Sequence, residues 1–595
     1  MGAGVLVRGP QPAMVQMTLP GPCGVGAFDP YVVGVGLERV GRNCRDLQRD
    51  SGEGRFVFDV KIINGTIVDG TGGHRYKADV GIKEDLIAQI GNLRDSESRV
   101  TLDAAGLIVA PGFIDMHTHS DLSILYDRHA NSKVYDGVTT EVIGNCGIGV
   151  APVSAKRKQL LIDYLGTRLI GSLPVTIELK WVTFEEYLDY IRRHPPAVNV
   201  APLLAQGVVR IAEMGFEKGK ATADQVARMR AMVEEAMAHG ALGLSSGLVY
   251  LPGAYTDTDE LVELAKGVRR HGGFYATHIR SEGDGVFDAL DEAITVAKQA
   301  QVPLHVSHLK LASKAVWGMT EELFERIARA ERDGVEISFD VYPYAAGMTA
   351  LSALLPPWVF EGGVHQLLQR LSDNAIRERI KEDCRRGIPG WQSFADCAGN
   401  WNNITIATVI SDSSKYLEGK TIEEISSEEG KEPYDVVFDI LLMENARVQI
   451  VVKMMREQDV AQILCHPKAM YGSDGMCLST EGILSFGKPH PRAFGTHGRI
   501  LGKYVREMGV LTLEDAVKKM TSMPASRLGL RKRGVLKEGY YADITVFDPE
   551  KVQDRATYDD PQQYTAGVEF VIVNGQVVVR DGRHQEVFPG RVVGR

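Results

Sequence analysis

The stretch Leu107-Ile108-Val109-Ala110-Pro111-Gly112-Phe113-Ile114-Asp115-Met116-His117-Thr118-His119-Ser120-Asp121 decides how this chain is read. Its first part is a short apolar run of the kind that forms a strand in a sheet wrapped by helices. It closes on two histidines with one residue between them. Side chains two apart on a strand share a face, so the His117 and His119 imidazoles are expected to emerge together at its carboxyl end.

Seven further apolar runs follow it: Val138 to Cys146, Asn199 to Gly207, Leu242 to Tyr250, Phe274 to Arg280, Val302 to Lys310, Ile337 to Tyr344 and Ile463 to about Asp474. Amphipathic segments separate them. Thr222 with Gln225, and Asp257 with Glu260, resemble helix capping boxes, while Gly240 and Gly334 fall where helices should end. Eight strands with helical crossovers predict an α/β fold, a TIM-like (β/α)8 barrel over 112–529. Residues from about 357 to 462 read as an insertion before the eighth strand.

The chain ends read differently. Phe58 to Ile63, Asn64-Gly65 and Thr66 to Val68 have the pattern of a hairpin, and so do Val571 to Val573, Asn574-Gly575 and Gln576 to Val579. A strand is expected at Ala542 to Phe547 as well. Together these predict a small β-sandwich domain built from both ends, 56–111 and 530–595. Residues 1–55 lack any periodicity and contain Met14 and Met17; they are expected to be a poorly ordered extension, or to follow from a start assigned too early. They show no apolar core followed by a small-residue cleavage site, so they do not read as a signal peptide.

With 595 residues, 44% of them hydrophobic and 24% charged, the composition is that of a soluble globular protein. A formal charge of -10 without a Lys/Arg run argues against a nucleic-acid partner. No run approaches the roughly 18 apolar residues of a membrane span. Seven cysteines without a C-x-x-C pair argue against a disulfide framework, and the cytoplasm is the expected location. Oligomeric state is left open.

Barrel enzymes place their reactive groups at the carboxyl ends of the strands. Here strand one ends in His117 and His119, strand two in Cys146, strand five in His278, strand six in His308 and strand eight in Asp474. Imidazoles, a thiolate and a carboxylate are the ligands zinc prefers. Taken singly, each has a plainer reading: a packed core histidine, an inert buried cysteine, an aspartate capping a helix or turn. Their joint placement at one end of five strands is what argues for a metal. His129, His466 and His490 lack that placement and read as structural. Glu141, an odd number of residues from Cys146, is expected on the opposite face.

The run Gly112 to His119 resembles the opening motif of the amidohydrolase superfamily. Gly144-Asn145-Cys146-Gly147, Tyr275-Ala276-Thr277-His278, Val306-Ser307-His308-Leu309-Lys310, Tyr342-Pro343-Tyr344, Gly472-Ser473-Asp474-Gly475 and His490-Pro491-Arg492 together resemble the D-aminoacylase family, from roughly Phe56 to the C-terminus. The resemblance implies hydrolysis of the amide bond of N-acyl-D-amino acids. It implies one Zn2+ held tightly by Cys146, His278 and His308, and a weaker second position near His117, His119 and Asp474. Asp474 would be the catalytic proton shuttle. Tyr250, Lys310, Tyr342 and Arg492 would hold the substrate carboxylate.

Two departures go with it. Many superfamily relatives carry a carboxylated lysine on strand four, whereas Leu242 to Tyr250 contains none, and Cys146 on strand two is the D-aminoacylase alternative. Met348 stands where relatives carry a serine. Two competing readings share the barrel: a cyclic-amide hydrolase of the hydantoinase or dihydroorotase type, which the missing lysine speaks against, and a non-catalytic scaffold, which the six standing ligands speak against.

Overall fold

The computed structural model describes residues 57–169 and 177–594. The extension expected over 1–55 lies outside the described residues.

Eight parallel strands form the centre: Phe113–Asp115, Val138–Ile143, Asn199–Pro202 continued by Leu204–Ala205, Gly243–Gly247, Phe274–His278, Leu304–Val306, Ile337–Val341 and Ala469–Tyr471. A backbone bond from Met116 N to Tyr471 O (3.1 Å) and a parallel bridge between Thr118 and Gly475 join the last strand to the first. The fold is a (β/α)8 barrel. Every residue of these strands is buried, as expected where side chains fill the inside and helices cover the outside.

The helices start much as their sequences suggest. Thr222 and Gln225 form a reciprocal capping box before the helix Ala223–Ala238. Asp257 accepts from Glu260 N at 2.9 Å, but the Glu260 carboxylate turns instead to the buried guanidinium of Arg210.

Two strand boundaries differ from the expectation. The first run is two strands in two sheets: Ile108–Pro111 pairs with Ile544–Phe547 in the small domain, and only Phe113–Asp115 enters the barrel. Gly112 lies at the crossing, where a Cβ would come within 2.2 Å of Thr139 Oγ1. In the eighth run, Ile463 to Cys465 end the helix Glu457–Cys465, and the strand begins at Ala469.

The terminal segments do build a two-layered sheet domain. A four-stranded sheet (Val57–Ile63, Asp79–Lys83, Leu86–Gly91, Glu97–Asp103) and a seven-stranded one share a core that includes Val60, Ile82, Leu102, Val109, Ile544 and Ile572. The hairpin at Asn574-Gly575 forms: Val573 faces Gln576, and both turn residues have positive φ, 47° and 80°. The one at Asn64-Gly65 does not. Val57–Ile63 pairs within the smaller sheet while Thr66–Ile67 pairs within the larger, so this Asn-Gly carries the chain between layers. Gly65 is required there by contact, since a Cβ would sit 2.5 Å from Val109 Cγ2.

Between strands seven and eight the chain forms an antiparallel sheet of Ala346–Ala350, Ile404–Thr408 and Gln449–Lys453, flanked by helices. This excursion starts before residue 357, and it overhangs the barrel's carboxyl end. Among the described residues, no helix is long and apolar enough to cross a membrane.

Candidate metal centre and its cleft

Three of the strand-end residues singled out from sequence share an uncommon backbone. Cys146, His308 and Asp474 have φ of 54°, 33° and 48°, a left-handed conformation that side chains other than glycine, asparagine and aspartate enter at a cost. Hydrogen bonds from neighbouring strands hold them there. Ser245 on strand four donates to Gly144 O and accepts from Gly147 N, clamping the loop that bears Cys146. Gly247 lets that loop approach, because a Cβ there would lie 2.0 Å from Cys146 O. The buried Lys133 donates to Asp115 Oδ2 (2.9 Å) and Ser473 Oγ (2.7 Å), while Ser473 N donates to Asp115 Oδ1 (2.8 Å), fixing the turn that bears Asp474.

The result is a compact donor set. One ligand atom from each of His117, Cys146, His308 and Asp474 lies within 4.8 Å of the others. Cys146 Sγ is 3.2 Å from His117 Nε2 and 3.3 Å from His308 Nε2, and His117 Nε2 is 3.6 Å from Asp474 Oδ1. His119 Nε2 joins from the side, 3.1 Å from Asp474 Oδ1. His278 stands apart from this quartet. It forms a second group with His308 and Glu282, its ring centroid 4.4 Å from that of His308.

Two carboxylates that sequence reasoning missed orient these rings. His117 Nδ1 donates to Asp340 Oδ2 (3.2 Å), and Asp340 also accepts from His305 Nε2 (3.0 Å) and from the His308 backbone (2.9 Å). His308 Nδ1 meets Glu282 Oε1 at 2.8 Å. Each contact leaves Nε2 as the nitrogen facing Cys146, which is how carboxylates preset imidazoles for a metal. Asp340 was detectable as the one charge inside the run Ile337 to Val341. Glu282 carried no such sign beyond its place four residues after His278.

The electrostatics match. Burial works against ionising Cys146, but the imidazoles of His117 and His308 outweigh it and hold the thiol well below its usual range. Burial likewise opposes charge on Asp474, yet Arg492 beside it keeps the carboxylate well below the usual value. His119 is pushed up to about 9 by Asp474 and Cys146 against the opposing effect of burial. His278 has neither ring nitrogen hydrogen-bonded, although its side chain is only 4% exposed. Two imidazoles, a thiolate and a carboxylate around one point, with a further buried imidazole next to them that makes no hydrogen bond, form a set that a divalent cation fits.

The quartet opens into a cleft, with His119 and Leu478 among the residues that line it. Tyr250 and Arg492 line it, as expected of a substrate grip, and so does Met348. Arg492 pairs with Asp474 Oδ2 at 2.8 Å and lies 4.6 Å over the Tyr342 ring, so Tyr342 supports it from behind. Lys310, expected in the same grip, has its ammonium buried on Glu282. His490, read as structural, lines the cleft; its Nε2 donates to Ala346 O and its Nδ1 accepts from Arg492 N. Burial holds its imidazole well below the usual value, consistent with a neutral positioning group. Arg168, not singled out from sequence, also reaches the cleft. Glu141 hydrogen-bonds Ser120 and joins neither donor group.

The chain is similar to known proteins along most of its length. The model of the amidohydrolase family matches residues 100–386 and 417–579. The D-aminoacylase of Alcaligenes xylosoxydans xylosoxydans is 36% identical over 540 residues, 90% of this chain and 98% of that protein. A crystal structure of D-aminoacylase superposes with a TM-score of 0.75 at 35% identity, covering 90% of this chain and all of that one. The N-acyl-D-glutamate deacylase of Bordetella bronchiseptica, solved with zinc and a phosphonate that mimics the tetrahedral intermediate, gives a TM-score of 0.74 at 32% identity over 91% of this chain and all of that one.

Proposed function

Because this chain belongs to the amidohydrolase family, we propose that it is a zinc-dependent deacylase that hydrolyses the amide bond of N-acyl-D-amino acids to a carboxylate and a free D-amino acid. The observation that carries this reading is the convergence of His117 Nε2, His308 Nε2 and an ionised Cys146 thiol at the mouth of the barrel, with Asp474 beside them. His117, Cys146, His308 and Asp474 would hold the cation. His278 with Glu282, and His119, are the groups available to a second one. When bound, zinc supplies Lewis-acid polarisation and makes water more acidic at neutral pH.

The rest of the work falls to side chains. Asp474 is ionised at neutral pH because Arg492 outweighs its burial, so it can accept the proton of the attacking water. It then returns that proton to the amide nitrogen, without which the amine would have to leave as a strongly basic anion. Arg492, seated on Tyr342 and held through its backbone by His490, faces the cleft beside Asp474 and binds the substrate's α-carboxylate. That anchor and the position of Asp474 fix which face of the amide is attacked, which is the basis for preferring D over L.

The cyclic-amide alternative gains nothing from strand four, where Ser245 occupies itself with the Cys146 loop. The cysteines Cys384, Cys397, Cys465 and Cys477 are free, in keeping with a reducing, cytoplasmic setting. The test is a deacylation screen over N-acetyl-D- and N-acetyl-L-amino acids with zinc quantified in the same sample. Turnover restricted to D substrates and tracking zinc content supports the reading. Turnover of hydantoin without N-acetyl-D-amino acids, or activity independent of metal, overturns it.

A further inference from the structure

Around the barrel mouth almost every buried cation is answered by a carboxylate: Lys133 by Asp115, Lys310 by Glu282, Arg492 by Asp474. Arg168, partly buried at the cleft wall, has no carboxylate beside it among the described residues. It ends the helix Lys158–Arg168, and its guanidinium lies 4.4 Å over the Tyr250 ring at the wall of the cleft. Its Nε and Nη1 are buried without a hydrogen-bond partner, and among the described residues it makes no ion pair. Tyr250 offers it a π-face and no charge, since the phenol hydroxyl is turned to Thr349 Oγ1 at 3.2 Å.

Two unpaired buried donors on a fixed positive charge mark a place where an anion from outside is expected to sit. Arg492 cannot be counted as that anion's only host. Arg492, paired with Asp474 at 2.8 Å, is given to the α-carboxylate in the proposed function. The cleft then presents two guanidiniums, with apolar wall from Ile148, Met348 and Leu478.

Resting on that reading of function, we propose that Arg168 holds a second carboxylate of the substrate, so that the substrates of this enzyme are N-acyl-D-amino acids carrying an anionic group besides the α-carboxylate. The same chemistry could come from an acidic amino-acid side chain or from a dicarboxylic acyl group. Neutral isosteres separate the two sources: N-acetyl-D-glutamate against N-acetyl-D-glutamine for the side chain, and N-succinyl-D-leucine against N-acetyl-D-leucine for the acyl group.

The experiment measures kcat and KM for these four compounds with the zinc-loaded wild type, Arg168→Met and Arg168→Lys. One of the two charged compounds is expected to exceed its neutral partner by roughly 10- to 100-fold in kcat/KM, the scale of a buried hydrogen-bonded charge. Arg168→Met should erase that preference chiefly through KM and leave the neutral compounds within about threefold, a scale below that of one such contact. Arg168→Lys should restore part of it. Equal losses on charged and neutral compounds, or no charge preference in the wild type, overturn the proposal. Absence of turnover on every N-acyl-D-amino acid overturns the parent reading instead. In that case calorimetric binding of glutarate decides for Arg168: retained binding in Arg168→Met refutes its role, and loss of binding upholds it.

Discussion

The barrel mouth and the sandwich domain use the same backbone conformation for opposite ends. In the sandwich, left-handed φ falls on Asn64, Asn574 and Asp581, residue types that tolerate it, and also on Glu84, Lys532 and Glu586, all of them in turns and bends. At the mouth it falls on Cys146, His308 and Asp474, where it aims donor atoms at a common point and is held by the Ser245, Asp340 and Lys133 networks. In one region the conformation does no more than turn the chain. The other stores strain where chemistry requires side chains in fixed positions.

Several substitutions break or sharpen that contrast. The largest effect is expected at Asp474. Asp474→Asn should keep the fold and lower kcat by roughly 100- to 10,000-fold, the contribution of a positioned proton shuttle; steady-state kinetics on an N-acetyl-D-amino acid reads it. A supporting carboxylate should count for less. Asp340→Asn weakens the hold on His117 and should lower zinc affinity by about 10- to 100-fold, measured by competition with a chelator.

A pH profile tests the electrostatics. Asp474 is depressed below the usual carboxylate value, so its base function is present above that depressed value and lost as pH falls through it. Arg492→Leu removes the cause. The acid limb of kcat/KM, which reports the free enzyme, should therefore move to higher pH in that variant, and an unmoved limb would disconnect Arg492 from Asp474. Smaller effects belong to the turns. Asp581→Ala, at an exposed turn, should cost about 1 kcal/mol in urea denaturation with no change in kcat. Cys146→Gly should lose metal while the metal-free protein withstands urea at least as well as metal-free wild type, because glycine relieves the strain that the thiol imposes.

What could be read from sequence follows the same division. Strand ends were legible because a barrel dictates where its reactive side chains go, and His117, Cys146, His308 and Asp474 do meet there. Asp340 showed only as a charge within a strand run and Glu282 hardly at all, since both act on the ligands rather than from the strand ends that drew notice. Lys310 carried a motif that pointed to substrate, but a buried acid nearby, Glu282, claims it. Arg168 and Gln449 reach the cleft from a helix end and from the excursion after strand seven, and no local pattern encodes how such segments pack. The two Asn-Gly pairs show the limit plainly: identical turn chemistry makes a hairpin at Asn574 and a crossing between sheets at Asn64, because the pairing partners lie far away in the chain.

The most direct measurement is the absorption spectrum of the cobalt-substituted protein, wild type against Cys146→Ser, with hydrolysis followed in parallel. A thiolate-to-cobalt charge-transfer band in the wild type that disappears in Cys146→Ser together with deacylase activity is the predicted result. A band that survives the substitution, or full activity without it, would contradict a metal centre built on Cys146.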